Sequence, residues 1–280
     1  MQTKQIDKIA QEIIKGDNMK TPKISVIMPA YNSEQYIAEA IESILNQTFS
    51  DFEFIIINDG STDKTADIVR SYDDSRIRFI DNSVNQGIST TANLGLELAN
   101  GEYIARMDSD DISHSNRFEK QVTYMDAHPE CGVLSASYHM FGDADRITVH
   151  PEYVGSLDLL VGCYVAHPVT MIRKSVIDEY NFVYDKDFVC AEDYDLWARM
   201  ARVTEIHNLQ DVLLEYRWHE TNISNIHAEI QAENVKRIRQ KILDYLTHDK
   251  NIQHKVHDVI FKKPIKKIKL FGLTIAKIES

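Results

Sequence analysis

Hydrophobic positions in residues 23–107 follow two alternating spacings. Short runs rich in β-branched and aromatic residues predict strands, whereas apolar residues three and four apart predict helices. The predicted strands are residues 24–28, 52–57, 76–80 and 103–107, and the predicted helices lie near 37–45, 65–69 and 91–98. Because strand and helix alternate and the run at 52–57 is apolar on both faces, the pattern predicts a Rossmann-like, mostly parallel sheet with flanking helices.

This alternation weakens after Phe118, where the predicted strands 132–137 and 170–173 are separated by longer connections. Apolar residues at Ile230, Ile238 and Leu246 then predict a long amphipathic helix. A lysine-rich tail follows at 261–270. We therefore expect an N-terminal extension at 1–21, an α/β domain at 22–224 whose first half ends near 117, and a C-terminal helical segment with a basic amphipathic tail at 225–280.

Composition narrows the class of protein. A formal charge of -12 disfavours sequence-independent binding to nucleic acid, which needs a basic surface. The three cysteines are widely spaced and contain no CxxC pair, so neither a disulfide framework nor a zinc site is expected. The first 20 residues have no apolar signal core, and no apolar run approaches the roughly 20 residues that cross a bilayer. We expect a cytoplasmic protein.

Polar clusters follow three of the predicted strands. They are Pro29-Ala30-Tyr31-Asn32, Asn58-Asp59-Gly60-Ser61 and Asp108-Ser109-Asp110-Asp111. Each cluster alone has the composition of an ordinary turn. In an open parallel sheet, however, ligands bind at the carboxyl ends of the strands, so the three clusters together indicate a ligand crevice.

The third cluster places three aspartates within four residues, with Arg106 as the counter-charge nearby in sequence. Such carboxylates repel one another unless a cation relieves them. Hard carboxylate oxygens suit Mg²⁺ or Mn²⁺, which take their remaining ligands from water and from a substrate diphosphate. A solvated acidic loop, or an N-cap for a helix at 113–125, explains the same residues equally well.

The ordered set of motifs resembles the inverting family 2 glycosyltransferases of bacterial surface-polysaccharide synthesis, which have the GT-A fold. The resemblance rests on the three clusters above, on Asn85-Gln86-Gly87, and on Ala191-Glu192-Asp193-Tyr194-Asp195-Leu196-Trp197, and covers residues 23–224. It implies that the half of the domain up to about residue 117 binds a nucleotide, and that the half after it binds an acceptor.

The resemblance also implies roles for single residues in donor binding. Asp59 would accept the imide N–H of uracil. Pro29, Tyr31 and Asn85 would line the base and ribose pocket. Asp108, Ser109 and Asp110 would lie at the sugar diphosphate, where Asp108 and Asp110 would hold Mn²⁺ or Mg²⁺. His219 resembles part of a loop that closes over the diphosphate and would contact the metal or phosphate.

Asp193 matches the catalytic base of the family. A carboxylate opposite the leaving group takes the proton of the acceptor hydroxyl as the new bond forms, and this geometry inverts the anomeric centre. Glu192 and Asp195 are the alternatives, and all three acids also suit the N-terminus of a helix. His167 resembles an acceptor-side position, although most lone histidines are packing or surface residues.

The resemblance implies transfer of a hexosyl or N-acetylhexosaminyl group from a nucleotide-diphosphate sugar, with UDP favoured, to a saccharide, expected to be lipid-linked. The basic tail would then contact the inner leaflet of the membrane, unless it packs on the domain. One rival is a sugar-nucleotide pyrophosphorylase, which would need a Gly-rich, basic loop where Pro29-Ala30-Tyr31-Asn32 stands. The other, a non-catalytic nucleotide-sugar binding module, would not need both the aspartate cluster and Asp193.

Overall fold

The structure is a computed structural model that describes residues 21–220, 222, 227–248, 267–270 and 273–277. All but one residue of the predicted N-terminal extension at 1–21 lie outside the described residues. The same holds for the tail residues 261–266 and 271, on which part of the predicted membrane contact rests.

The first half alternates strand and helix as predicted. Its strands are β1 (Ile24–Ala30), β2 (Phe52–Asp59), β3 (Ile77–Asn82) and β4 (Tyr103–Arg106), and its helices are α1 (Ile37–Leu45), α2 (Thr65–Arg70) and α3 (Ile88–Leu98). The four strands are parallel in the order β3-β2-β1-β4. The order reverses at β1, which places the crevice for a ligand at the carboxyl ends of β1 and β4.

The second half extends the same sheet. Its strands are β5 (Ile112–Ser113), β6 (Cys131–Gly142), β7 (Arg146–Thr148), β8 (Tyr153–Val154), β9 (Met171–Arg173) and β10 (Glu205–Trp218). Its helices are α4 (Arg117–Ala127), α5 (Ser156–Val161), α6 (Lys174–Tyr180), α7 (Glu192–Met200) and α8 (Ala228–His248), with a 3-10 turn at His167–Val169. The sheet continues from β4 as β9-β6-β10-β5, with β7 and β8 at its margins.

Strand β9 runs antiparallel to β4 and β6, whereas β6 and β10 are parallel. The result is a ten-stranded, mostly parallel sheet with flanking helices, which confirms the predicted fold class. The hydrophobic pattern did not predict β10. Its register with β6 shifts near Leu209 and again near Val212, so the strict alternation that marks a strand is lost.

Alternate residues of β1 enter two separate cores, one on each face of the sheet. Ile27 joins the core formed with α3, α7 and α8, whereas Val26 and Met28 join the core formed with α1 and α4. The fully buried Ile238 of α8 belongs to the first core. Helix α8, which the sequence placed in a separate C-terminal segment, therefore packs as part of the domain.

Gly60 explains how the loop after β3 approaches the end of β2. Its φ angle is +70°, and a Cβ added there would lie 2.5 Å from the carbonyl carbon of Val84. A side chain at Gly60 would therefore push the backbone of residues 84 and 85 away from Asp59. The glycine is needed for this close approach, which builds one wall of the crevice.

In the C-terminal tail, β11 (Lys267–Leu270) and β12 (Leu273–Lys277) form an antiparallel pair. They pair with each other in a two-stranded sheet rather than with the central one. Among the helices that the structure describes, none has the length and hydrophobicity needed to cross a membrane.

Candidate active site

Hydrogen bonds bring the three predicted polar clusters together at the carboxyl edge of the sheet. The backbone N–H of Asn32 donates to Ser61 Oγ (2.9 Å), and the N–H of Thr62 donates to Asn32 Oδ1 (2.8 Å). The hydroxyls of Ser33 and Ser109 lie 2.7 Å apart. The turns after β1, β2 and β4 therefore form one continuous surface, as a ligand crevice at the switch of strand order requires.

Asp59 ends β2 and is 4% exposed. Its carboxylate accepts hydrogen bonds from the backbone N–H groups of Gln86 (3.0 Å) and Gly87 (2.9 Å) and from the side-chain amide of Asn82 (3.2 Å). The N–H of Gln86 reaches both carboxylate oxygens, at 3.0 and 3.1 Å. Asp59 thus fixes the loop after β3 at the edge of the crevice.

The three other residues proposed for the nucleotide pocket lie in different environments. The Tyr31 side chain is 49% exposed, whereas Pro29 is buried inside β1. Asn85 accepts the backbone N–H of Gly87 through Oδ1 (3.1 Å), so its side chain helps to form the turn. Tyr31 is therefore the large side chain of this set that is open to a base or ribose.

Arg106, at the end of β4, is a fully buried cation at the centre of the site. Its Nη2 donates to Asp108 Oδ1 (3.0 Å), its Nη1 to the backbone oxygen of Ile27 (3.1 Å), and its Nε to His167 Nε2 (3.1 Å). These three contacts fix the guanidinium. Arg106 consequently holds one oxygen of Asp108 in place and leaves the second for another partner.

The end of β10 closes over the aspartate turn. His219 Nε2 lies 3.2 Å from Asp110 Oδ2, and the His219 ring packs 5.4 Å from that of Tyr36. Arg217 donates from its backbone to Asp111 Oδ1 (2.8 Å) and from Nε to the backbone oxygen of Asp110 (2.8 Å). The structure therefore places the His219 imidazole beside the Asp110 carboxylate, and both groups are common metal ligands.

One buried carboxylate oxygen of this turn lacks a hydrogen-bond partner among the described residues. Asp111 is 1% exposed, and its Oδ2 makes no hydrogen bond within the described part of the chain. Burial raises the pKa of Asp111 well above its usual value, and the charges of Asp110 and Asp108 add to the rise. An additional cation near this turn would offset the repulsion among the three carboxylates.

A hard divalent cation fits these donors, because carboxylate oxygens and one imidazole are ligands that Mn²⁺ and Mg²⁺ accept. The described residues contain no group of three or more His, Cys, Asp or Glu side chains close enough to hold an ion by themselves. A cation here would therefore depend on Asp110, Asp108 and His219 for part of its coordination and on a bound diphosphate for the rest.

Helix α7 places two further acids near the same edge. Burial raises the pKa of Asp193 to about 7, and the negative charges of Glu192 and Asp108 contribute to the rise. Glu192 is 8% exposed, and its Oε2 has no hydrogen-bond partner among the described residues. Burial, more than the charge of the adjacent Glu192, is thus the main reason why Asp193 can gain and lose a proton near neutral pH.

Among the described residues, Asp195, unlike Glu192 and Asp193, is paired with two cations. It is 1% exposed, its Oδ2 accepts from Arg199 Nε (2.7 Å), and its Oδ1 lies 3.3 Å from Lys241 Nζ. Both oxygens are therefore held in ion pairs, one within α7 and one that links α7 to α8.

His167 lies between Arg106 and Tyr184. Its Nε2 accepts from Arg106 Nε and lies 2.9 Å from the Tyr184 hydroxyl. Burial lowers the pKa of His167 well below its usual value, and the charge of Arg106 lowers it further, so the imidazole is neutral. His167 orients Arg106.

Three residues of this site were not predicted from the sequence: Arg117, Tyr184 and Arg217. The buried Arg117 donates from Nη2 to the backbone oxygen of Arg106 (2.7 Å) and carries a second positive charge close to Asp111 and Asp108. Arg217 stands two residues before His219 in the sequence, which was the one available signal. Arg117 and Tyr184 reach the site through contacts distant in sequence, which no local pattern indicates.

The sequence resembles known glycosyltransferases over most of its length. Residues 25–184 match the family model described as Glycosyl transferase family 2. An uncharacterized glycosyltransferase of Haemophilus influenzae is 34% identical over 84% of this chain and 77% of its own length. The Escherichia coli protein WfgD, named UDP-Glc:alpha-D-GlcNAc-diphosphoundecaprenol beta-1,3-glucosyltransferase, is 29% identical over 72% of this chain and 79% of its own.

Solved structures share the fold at lower sequence identity. Staphylococcus aureus TarS 1-349, in complex with UDP-GlcNAc, superposes with a TM-score of 0.65 at 21% identity, covering 87% of this chain and 77% of TarS 1-349. The mannosyltransferase PcManGT of Pyrobaculum calidifontis, in complex with GDP-Man and Mn²⁺, gives 0.58 at 16% identity, covering 92% and 86%. At this identity the likeness is one of fold.

Proposed function

The chain belongs to glycosyl transferase family 2, and we propose that it transfers a hexosyl or N-acetylhexosaminyl group from a UDP-sugar to a lipid-linked saccharide with inversion. One observation carries the proposal. Asp59, the pair of Asp110 and His219, and an Asp193 with a pKa of about 7 all lie at the carboxyl edge of one sheet. A base-reading acid, a diphosphate site and a proton acceptor are what this reaction needs.

Support for a UDP donor comes from the end of β2. We assign the Asp59 carboxylate to the imide N–H of the base, a donor that uracil has and cytosine and adenine lack. The half-exposed Tyr31 ring lies on the same surface, where a base can stack on it. The names of two similar proteins, the UDP-GlcNAc complex of TarS 1-349 and the UDP-Glc-dependent WfgD, agree with this choice.

We assign the diphosphate to the turn of Asp108, Ser109 and Asp110. Mn²⁺ or Mg²⁺ bound there would stabilise negative charge on the departing diphosphate. Asp110 and His219 are the residues that would hold it directly, while Arg106 keeps Asp108 oriented beside them. The Mn²⁺ in the PcManGT complex supports a divalent cation in this fold.

Asp193 is the proposed catalytic base. The acceptor hydroxyl attacks the anomeric carbon, its proton passes to the Asp193 carboxylate, and the bond from the anomeric carbon to the diphosphate oxygen breaks as UDP departs. Attack opposite the leaving group inverts the anomeric centre. A carboxylate with a pKa of about 7 is a stronger base than an ordinary aspartate and remains largely ionised at slightly alkaline pH.

The acceptor assignment rests on WfgD, whose printed acceptor is a saccharide on diphosphoundecaprenol. We propose the same chemical class here, in the synthesis of capsule, lipopolysaccharide or exopolysaccharide. A cytoplasmic enzyme that reaches the inner face of the membrane, aided by the basic C-terminal tail, would meet such an acceptor. The domain division follows from these roles: a nucleotide-binding half to about 117 and an acceptor half after it.

The two rival functions are less well supported. A pyrophosphorylase would use a Gly-rich basic loop after β1. At that place this chain has Tyr31 and Asn32, and Asn32 is hydrogen-bonded to the turn after β2. A binding module gains nothing from an aspartate held partly buried with a raised pKa, since such a group weakens folding. Both rivals remain as outcomes of the assay below.

The test is release of the nucleoside diphosphate from a panel of UDP-, GDP- and dTDP-sugars, with and without Mn²⁺, using wild type and Asp193→Asn. We expect Mn²⁺-stimulated release of UDP, and loss of transfer in Asp193→Asn by about 1,000-fold or more, as removal of a positioned base implies. Metal-independent turnover or a fully active Asp193→Asn enzyme would contradict the mechanism. Formation of UTP and sugar 1-phosphate when pyrophosphate is added, in place of UDP release, would favour the pyrophosphorylase.

A further inference from the structure

Helix α8 binds the backbone of the segment that leads into α7. Three of its side chains donate hydrogen bonds to backbone oxygens within residues 187–190, and α7 begins two residues later. The pairs are Gln231 Nε2 with Cys190 (2.9 Å), Asn234 Nδ2 with Val189 (2.8 Å) and Arg237 Nη1 with Asp187 (3.0 Å). Successive donors are three residues apart and are therefore neighbours on the surface of α8.

Asn234 is the central donor of this set. It is buried, and its Oδ1 accepts from Arg237 Nη1 (2.7 Å), so both polar atoms of the amide are hydrogen-bonded. The buried ring of Phe188 packs against the same helix, with its centroid 4.6 Å from the Arg237 guanidinium and 4.0 Å from Lys241 Nζ. Since a buried amide is costly unless its atoms are bonded, these contacts define one arrangement of the segment on α8.

Cys190 has a backbone conformation that most side chains disfavour. Its φ angle is +63°, in the left-handed region. The two other non-glycine residues with a positive φ in the described part of the chain are Asn32 and Asn181, and asparagine tolerates this region better than other side chains do. A left-handed cysteine persists only where surrounding contacts hold it.

Two of the hydrogen bonds from α8 lie on either side of this cysteine. The Val189 oxygen belongs to the peptide group before the Cys190 α-carbon, and the Cys190 oxygen belongs to the peptide group after it. Asn234 binds the first oxygen and Gln231 binds the second. Because φ and ψ are the only soft rotations between two planar peptide groups, fixing the direction of both groups fixes the conformation of Cys190.

The direction of the chain at Cys190 determines where α7 begins. The N–H of Ala191 donates to the backbone oxygen of Phe188 (2.9 Å), and the N–H of Asp195 donates to the backbone oxygen of Ala191 (3.0 Å). Asp193 lies in this first turn of α7, three residues after Cys190. A rotation at Cys190 would therefore move the Asp193 carboxylate, and a displacement of about 1 Å in a reacting group can lower a rate about 100-fold.

We propose that Gln231 and Asn234 are positioning residues for catalysis, which hold Cys190 in its left-handed conformation and thereby fix the position of the Asp193 carboxylate. The inference rests on the proposed function, since it explains how the base of that same reaction is held in place. Asp59 and Asp110, which we assign to the donor, lie at the ends of other strands. Loss of the hydrogen bonds from α8 should therefore slow the chemical step and leave donor binding unchanged.

The test removes one hydrogen bond without shortening the side chain. Gln231→Met takes away the donor to Cys190, and methionine has a helix propensity close to that of glutamine. Gln240→Met is the matched control, because Gln240 is exposed and its amide binds Asp244 within α8. Both substitutions are also made in a Cys190→Gly background, since glycine adopts a positive φ without a steric penalty.

The assays are transfer from the UDP-sugar that wild type uses to a water-soluble N-acetylglucosaminyl diphosphate with a short alkyl chain, and calorimetric binding of UDP with Mn²⁺. We expect Gln231→Met to lower kcat by about tenfold while the Kd for UDP changes by less than about twofold. In the Cys190→Gly background the same substitution should lower kcat by less than about threefold, because no strained residue has to be held. Gln240→Met should change neither value.

A second variant tests the other hydrogen bond. Asn234→Asp loses the donor to Val189 and keeps an oxygen for Arg237, and it should show the same loss of kcat and the same repair by Cys190→Gly. An unchanged kcat in Gln231→Met, or an equal loss in both backgrounds, would overturn the positioning role alone. If wild type transfers no sugar to this acceptor, or if Asp193→Asn is fully active, the proposed function itself is wrong and the positioning role falls with it.

Discussion

Ionised Asp193 should destabilise the folded protein at alkaline pH, because a carboxyl group whose pKa is raised by folding loses its proton more easily in the unfolded chain. Its pKa is about 7 in the folded protein and 3.8 in its reference state, a difference of roughly 3 units. In the folded protein the carboxyl holds its proton up to about pH 7, whereas in the unfolded chain it ionises above about pH 4. The stability linked to this group is therefore fully present below pH 4 and is lost as the pH rises to about 7.

The loss can be estimated from the shift. At about 1.4 kcal/mol per unit, ionising Asp193 in the folded protein costs about 4 kcal/mol at most above pH 7. At pH 5 the folded group is still protonated, and the cost is about 1.6 kcal/mol. Asp193→Asn removes the charge and keeps an oxygen that can accept the backbone N–H of Tyr194, as Asp193 Oδ1 does at 2.7 Å.

The assay is equilibrium unfolding in urea at pH 5 and pH 8.5, without nucleotide or metal. We predict that the free energy of unfolding of Asp193→Asn, relative to wild type, rises by about 3 kcal/mol between the two pH values. The control is Asp73→Asn, an exposed aspartate in the loop before β3, whose difference from wild type should not vary with pH. A difference for Asp193→Asn that is equal at both pH values, or lower stability at pH 8.5, would refute the reasoning.

Two further substitutions test the donor side. Asp59→Asn should raise the Kd for UDP by about 10- to 100-fold in calorimetry. The substitution weakens charge-assisted hydrogen bonds of about 1.5–3 kcal/mol to the base and to the backbone N–H groups of Gln86 and Gly87. An unchanged Kd would show that Asp59 does not bind the nucleotide. Arg106→Met should lower the free energy of unfolding by about 1–3 kcal/mol in urea, because it leaves the backbone oxygen of Ile27 without its donor and removes the counter-charge of the partly exposed Asp108; a loss below about 0.5 kcal/mol would show that these contacts are not important for folding.

The structure of the first half of the domain was predicted well from the sequence because local signals agree there. The β1 run is buried at all seven positions, as a strand between two parallel neighbours requires, and each following turn carries its own polar cluster. The structure brings these turns together at one edge, which follows from parallel strand direction alone. In this half, therefore, the hydrophobic pattern of the sequence and the topology of the sheet indicate the same crevice.

The second half was harder to predict because its decisive contacts are distant in sequence. Arg217 binds the aspartate turn from more than 100 positions away, and the buried Arg117 approaches Arg106 through the packing of α4. His167 illustrates the limit, since the sequence around it indicates neither of its hydrogen-bond partners, Arg106 and Tyr184. Only tertiary packing decides which of several polar residues reaches the crevice.

The central claim is that Asp193 deprotonates an acceptor that attacks from the side opposite the leaving diphosphate. The most direct measurement is the anomeric configuration of the product, by NMR of the linkage that wild type forms from an α-linked UDP-sugar. Inversion predicts a β-linkage, and Asp193→Asn should form almost none of it. An α-linked product, which keeps the configuration of the donor, would contradict the account.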